Sequence, residues 1–193
     1  MKNKKYYALG LAGALSASML TATPVFAAHT SGGSTEFTYT AGQSTGTDPD
    51  DGSLADWTVD YPVKVVLDDA TIDAASGRTM NFKLYNTNES GAATTPYDKN
   101  STVTVKLKQH AQTDGTVGIK MLDGSTPQEN VVMTITDESG ATDIDTSTDT
   151  EVMTLDKDNN ALTSKAYLKK NSGAEKGKTY TQTLTWIFED SDI

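Results

Sequence analysis

The chain of 193 residues has no cysteine, only two histidines (His29 and His110), and 16 basic against 26 acidic side chains. Without cysteine no disulfide can staple the fold, so stability must come from a packed core. The excess of acid gives a formal charge of −10. Nucleic acid and anionic lipid both reward clusters of Lys and Arg, so this balance argues against either as a partner. Helical periodicity is also missing. No window outside the N-terminal segment repeats apolar residues every 3.6 positions, and residues 69–76 offer one short helical turn at most.

The one long apolar run lies at the start. Lys2, Lys4 and Lys5 precede an apolar stretch from Ala8 to Leu20, followed by Val25-Phe26-Ala27 with small residues at a cleavage position. This order predicts a secretory signal peptide over 1–27, with the mature chain beginning at Ala28 and retaining no membrane span. Residues 1–27 hold three lysines and no acid, so their loss moves the formal charge from −10 to −13. The 166 residues that remain suffice for one core, since a chain of that size buries about 70% of its unfolded surface.

Residues 28–34, Ala-His-Thr-Ser-Gly-Gly-Ser, contain little apolar surface and read as a flexible lead into a domain over 35–193. From Thr35 onward the dominant period is two. Phe37 and Tyr39 share one side of a first strand, and 42–54 reads as a polar loop with turn chemistry at Asp48-Pro49-Asp50-Asp51-Gly52. Trp57, Val59, Tyr61, Val63, Val65 and Leu67 then occupy every second position, with Pro62 marking an edge, a bulge or a change of sheet. Shorter alternations follow at Met80/Phe82/Leu84, Val103/Val105/Leu107, Val117/Ile119/Met121, Val131/Met133/Ile135, Met153/Leu155 and Ala166/Leu168. A last one runs through Tyr180, Leu184, Trp186 and Phe188. Separated by Gly, Asp and Asn turns, these make about nine short strands, the rhythm of a single antiparallel β-sandwich.

Little in this pattern suggests chemistry. His110 ends a strand and reads as a surface histidine, with no Gly-x-Ser-x-Gly nucleophile motif to join it. Asp156-Lys157-Asp158-Asn159-Asn160 opens like a calcium loop, but Ala161 replaces the required glycine and Tyr167 stands at the bidentate Glu position, so a hairpin turn is expected. Asp143, Asp145, Asp149 and Glu151 read as a solvated loop. Lys64, Lys83 and Lys106 lie in strands, but the final strand has no asparagine with which to form an isopeptide link. The expectation is therefore a non-enzymatic protein with no metal and no cofactor.

The final strand, Tyr180, Leu184, Thr185, Trp186 and Phe188, reads Tyr-x-x-x-Leu-Thr-Trp-x-Phe. It resembles the closing Tyr-x-x-x-Leu-Thr-Trp-x-Leu signature of the WxL-type surface domain of low-GC Gram-positive bacteria, and Trp57-Thr58-Val59 is similar to a degenerate first Trp-x-Leu motif. The stretch from Trp57 to Leu67 also resembles strands of small secreted Gram-positive adhesin or fimbrial β proteins. The WxL resemblance implies non-covalent attachment to the cell wall, with peptidoglycan glycan or other surface proteins as partners and an extracellular, wall-associated location. Trp57, Tyr180 and Trp186 are then the candidate binding residues, serving adhesion or surface-complex assembly. A second expectation is a fibre subunit that self-assembles by β-strand addition, with the N-terminal segment through Tyr39 as the donor strand.

Overall fold

The computed structural model describes residues 31–36, 41–47, 54–88 and 91–191. The expected signal peptide, Phe37, Tyr39 and the Asp48–Gly52 turn lie outside these residues. The fold is all-β, with no helix among the described residues; residues 69–76, where one helical turn was conceivable, form turns and bends instead. The described residues form eleven strands, in chain order: β1 (Ser31–Glu36), β2 (Ala41–Thr47), β3 (Leu54–Pro62), β4 (Arg78–Thr87), β5 (Ala93–Pro96), β6 (Thr102–Leu107), β7 (Ile119–Asp123), β8 (Thr126–Ile135), β9 (Thr150–Leu155), β10 (Ala161–Lys170) and β11 (Thr183–Ser191).

They form two antiparallel sheets, one ordered β1-β11-β6-β9 and the other β2-β3-β4-β10-β8-β7, with β5 paired to β4. The β-sandwich expected from the alternation is therefore present. Its packing follows directly from period two, because successive side chains on a strand point to opposite faces. In β6, Val103, Val105 and Leu107 are buried while Thr102, Thr104 and Lys106 point outward. In β11, Leu184, Trp186 and Phe188 face the core while Thr183 and Thr185 face solvent. Met80, Phe82 and Leu84 of β4 meet them from the opposite sheet. Aromatic rings bridge the layers: Phe82 meets Trp186 edge to face at 5.1 Å, and Tyr61 meets Phe188 at 5.5 Å, separations in the favourable range for ring pairs.

Three stretches add to the sequence pattern. Within residues 28–34, β1 begins at Ser31 and pairs with β11 from Ser31↔Phe188 to Glu36↔Thr183. The polar loop over 42–54 contains β2, paired with β3 from Ala41↔Pro62 to Thr47↔Leu54. Both strands escape a reading of apolar periodicity because edge pairing rests on main-chain hydrogen bonds, to which Gly, Ser and Thr contribute as well as any residue. The long run from Trp57 stops as a strand at Pro62, which lacks a ladder N–H, although Val65 remains buried and Val63 and Leu67 still pack on the core.

β8 departs from simple alternation: Val131, Val132, Met133, Thr134 and Ile135 are all buried. Its outer face is roofed by two loop segments. Thr146 donates its N–H to Thr116 O at 2.6 Å and its hydroxyl to Gly118 O at 3.2 Å, and Ile144 donates its N–H to Ile135 O at 2.9 Å. Gly118 lies so close that a Cβ there would sit 2.9 Å from Val132 Cγ1.

Candidate binding face

The two tryptophans named by the sequence do not form a surface. Trp57 on β3 and Trp186 on β11 are both 0% exposed. Trp186 is held by the Phe82 ring. Trp57 donates its indole N–H to Asp190 Oδ2 at 3.0 Å, so its single polar atom is used inside the sandwich. Neither ring has a face on which a sugar could stack. Tyr180 is half-buried and precedes β11. Its hydroxyl accepts the Glu175 N–H at 2.9 Å and donates to Gly173 O at 3.4 Å, pinning the loop before the last strand. Trp57 and Trp186 thus lie in the core, and Tyr180 fixes a loop.

The other chemically capable groups also hold structure. His110 is partly buried rather than a free surface side chain. Its Nδ1 accepts the Gln112 N–H at 3.0 Å and its Nε2 faces Thr183 O at 3.3 Å, and desolvation lowers its pKa. Asp156 accepts the N–H groups of Asp158 at 2.7 Å and Asn159 at 2.6 Å, closing the turn before β10 and lowering its pKa. Asp145 does the same for Ser147, while Asp149 Oδ1 accepts the Gln109 N–H at 2.6 Å. Asp143 accepts the Tyr167 hydroxyl at 2.7 Å and the Lys169 ammonium at 3.0 Å. Among the described residues no three His, Asp or Glu side chains converge as metal ligands.

What the fold does present is the outer face of β11, β6 and β9. The alternation that buries Val103, Val105 and Leu107 sends Thr102, Thr104 and Lys106 outward, and the same register brings Thr183, Thr185, Ile187, Glu189, Glu151 and Thr154 to that face. Cross-strand pairing sets them in rows. Glu189, Thr104 and Thr154 lie side by side, as do Ile187, Lys106 and Glu151. Lys106 and Glu189 form an ion pair, and the Thr154 hydroxyl donates to Glu151 Oε1 at 2.9 Å. Chemically this is a pleated array of hydroxyls flanked by one cation and carboxylates, able to donate and accept hydrogen bonds at a spacing fixed by the sheet, about 4.8 Å between strands. Sequence reading displayed these residues as the polar half of each alternation. It singled out Trp57, Tyr180 and Trp186 through the WxL resemblance, and it had no way to see that strand pairing assembles the polar halves into one face.

No protein-family model matches the chain, and no curated protein or solved structure matches it either.

Proposed function

We propose that this protein is an exported, non-enzymatic surface module that attaches non-covalently to the Gram-positive cell wall and serves adhesion or the assembly of surface complexes. The observation that carries this reading is the hydroxyl-rich outer face of β11, β6 and β9, held flat by a core that contains both tryptophans. Glycan chains present hydroxyl, amide and carboxylate groups, which an ordered row of Thr hydroxyls beside Lys106 complements through hydrogen bonds. The charged and apolar order of residues 1–27 supports export. The resemblance of the last strand to the WxL signature supports the wall as the destination, although the tryptophan of that signature acts through the core.

Co-sedimentation with purified Gram-positive sacculi tests this. The wild-type protein should pellet with the walls, Trp186→Phe should still do so, and Thr104→Ala/Thr154→Ala should stay in the supernatant while keeping its native tryptophan emission. A wild type that never pellets, or a folded double variant that binds as well as wild type, would sink the proposal.

A further inference from the structure

Three connections meet around His110. Residues 108–118 lead from β6 to β7, residues 144–149 lead into β9, and residues 180–182 lead into β11. Main-chain hydrogen bonds tie the first segment to its surroundings. Lys108 donates to Thr185 O at 2.9 Å, His110 to Thr146 O at 3.0 Å, and Lys120 of β7 donates back to Gln112 O at 2.7 Å. Leu122 and Thr181 exchange two further bonds at 2.8 and 2.9 Å, which stitch β7 to the entry of β11. The same segment carries Gly118, packed against Val132 on the outer side of β8, a side chain with no exposed surface.

The imidazole closes this junction with both ring nitrogens: Nδ1 accepts the Gln112 N–H at 3.0 Å, and Nε2 lies 3.3 Å from Thr183 O. An amide N–H can only donate and a carbonyl can only accept. Both contacts are therefore made together by one form alone, the neutral ring with its proton on Nε2. An imidazolium carries a second proton, on Nδ1, and that proton would point at the Gln112 N–H. Among the described residues no carboxylate bonds to the ring to compensate. Gln182 and Thr183 face it from the β11 side. On the β9 side Thr146 offers its carbonyl to the His110 N–H, Asp149 is taken by the Gln109 N–H and Asp145 by Ser147. Asp114 of the same segment pairs with Lys170, and Lys120 of β7 pairs with Glu129.

We propose that His110 is an acid-released latch: protonation of Nδ1 displaces the Gln112 N–H and frees residues 108–118 from β7 and β8 while the two sheets stay paired. Gln112 transmits the change, because its N–H meets Nδ1 and its carbonyl holds the Lys120 N–H. Release uncovers Val132, so an apolar strip appears on β8 only in acid. The closed segment excludes the second proton and the open segment does not. The latch is therefore shut above the ordinary histidine pKa and opens as pH falls below about 6.5. Between that value and the lower pKa of the closed ring, the opening constant rises about tenfold per pH unit. This proposal does not depend on wall attachment, since the outer face of β6 and β9 takes no part in it.

Amide hydrogen exchange of the exported chain, followed by NMR from pH 7 to pH 5 and corrected for the intrinsic pH dependence of exchange, tests this. The Gln112 and Lys120 amides should be less protected than those of Val105 and Trp186 at every pH, and their opening constants should climb about tenfold per unit below pH 6.5. His110→Asn offers an amide oxygen in place of Nδ1 and cannot take up the proton, so its Gln112 and Lys120 amides should show no such climb. Nitrogen spectra of the ring at pH 7 should report the Nε2–H tautomer. Gln112 and Lys120 amides as protected as Val105 would mean that the segment opens only with global unfolding, and would overturn the proposal. So would a His110→Asn climb as steep as wild type, or an Nδ1–H tautomer. The wild-type measurements decide alone if the variant does not fold.

Discussion

Trp57 and Asp190 are 133 positions apart in sequence and joined across the two sheets by one hydrogen bond, indole N–H to carboxylate, of 3.0 Å. The bond ties β3 of one layer to β11 of the other at the end of the core where Tyr97 is also buried. It explains why an acid stands at the end of an aromatic strand: the carboxylate accepts the proton of a tryptophan that has no route to water.

Replacing Trp57 with Phe keeps much of the ring volume and removes the donor. Hydrogen bonds to charged groups contribute roughly 1.5–3 kcal/mol, so urea denaturation should show a loss of that order beyond the packing change. Trp186→Ala removes the ring that meets Phe82 and should cost about 3–5 kcal/mol. An unchanged denaturation midpoint in either variant would contradict the packing described.

Gly118→Ala should destabilise the fold by about 1–3 kcal/mol, because the new methyl would lie 2.9 Å from both Asp114 O and Val132 Cγ1. By contrast, Gly115 and Gly124 have open space around them, but their φ angles are +74° and +62°, so alanine there brings backbone strain without a clash. Thermal unfolding of the three variants separates the two causes: only Gly118→Ala should disturb the near-ultraviolet signal of the core.

Stability should fall in two steps as pH decreases. His110 has a folded pKa below its ordinary 6.5, with desolvation the largest cause. The unfolded chain therefore takes up a proton first, and stability declines as pH drops below about 6.5. Asp68, Asp73, Asp114, Asp137, Asp145 and Asp156 have pKa values below the ordinary 3.8, held there by hydrogen bonds from neighbouring groups. Their contribution is present above that value and is lost on further acidification. Urea midpoints measured from pH 7 to below 3 should show the first step and the onset and course of the second, and His110→Gln should erase the first and keep the second.

At the alkaline end Tyr97 and Tyr167 ionise late. Burial, the first cause for both, pushes each up to about 12, and the Asp143 carboxylate adds to the effect at Tyr167. The unfolded chain loses these protons near pH 10 while the folded chain keeps them, so stability falls as pH rises through that window. A spectroscopic phenolate titration should show a late-ionising fraction that includes Tyr97 and Tyr167, and Tyr97→Phe should reduce it.

The layers of the fold were legible in the sequence wherever one face of a strand is buried. Val103, Val105 and Leu107 announce β6, and Met80, Phe82 and Leu84 announce β4, because period two is the direct imprint of the pleat. β1 was not legible, since Ser-Gly-Gly-Ser-Thr-Glu pairs through backbone groups that every residue possesses. Nor was the double burial of β8, where Val132 and Thr134 are covered by loops from elsewhere in the chain. For the candidate site the residues were visible and their direction was not. Trp57 and Trp186 stood out by type, but the side each ring takes depends on how the two sheets pack together, which brings β3 against β11 across 133 positions at Trp57 and Asp190.

β11, the last of the described strands, occupies the interior of its sheet, between β1 and β6. Without β11, β1 has no partner in its sheet and β6 keeps only β9, so Val103, Val105 and Leu107 have no closed layer to enter. Completion must wait for contacts between the two extremities, such as Ser31 with Phe188, which are the slowest kind to form. The sandwich should therefore seal late in refolding, after the local β7–β8 hairpin has paired.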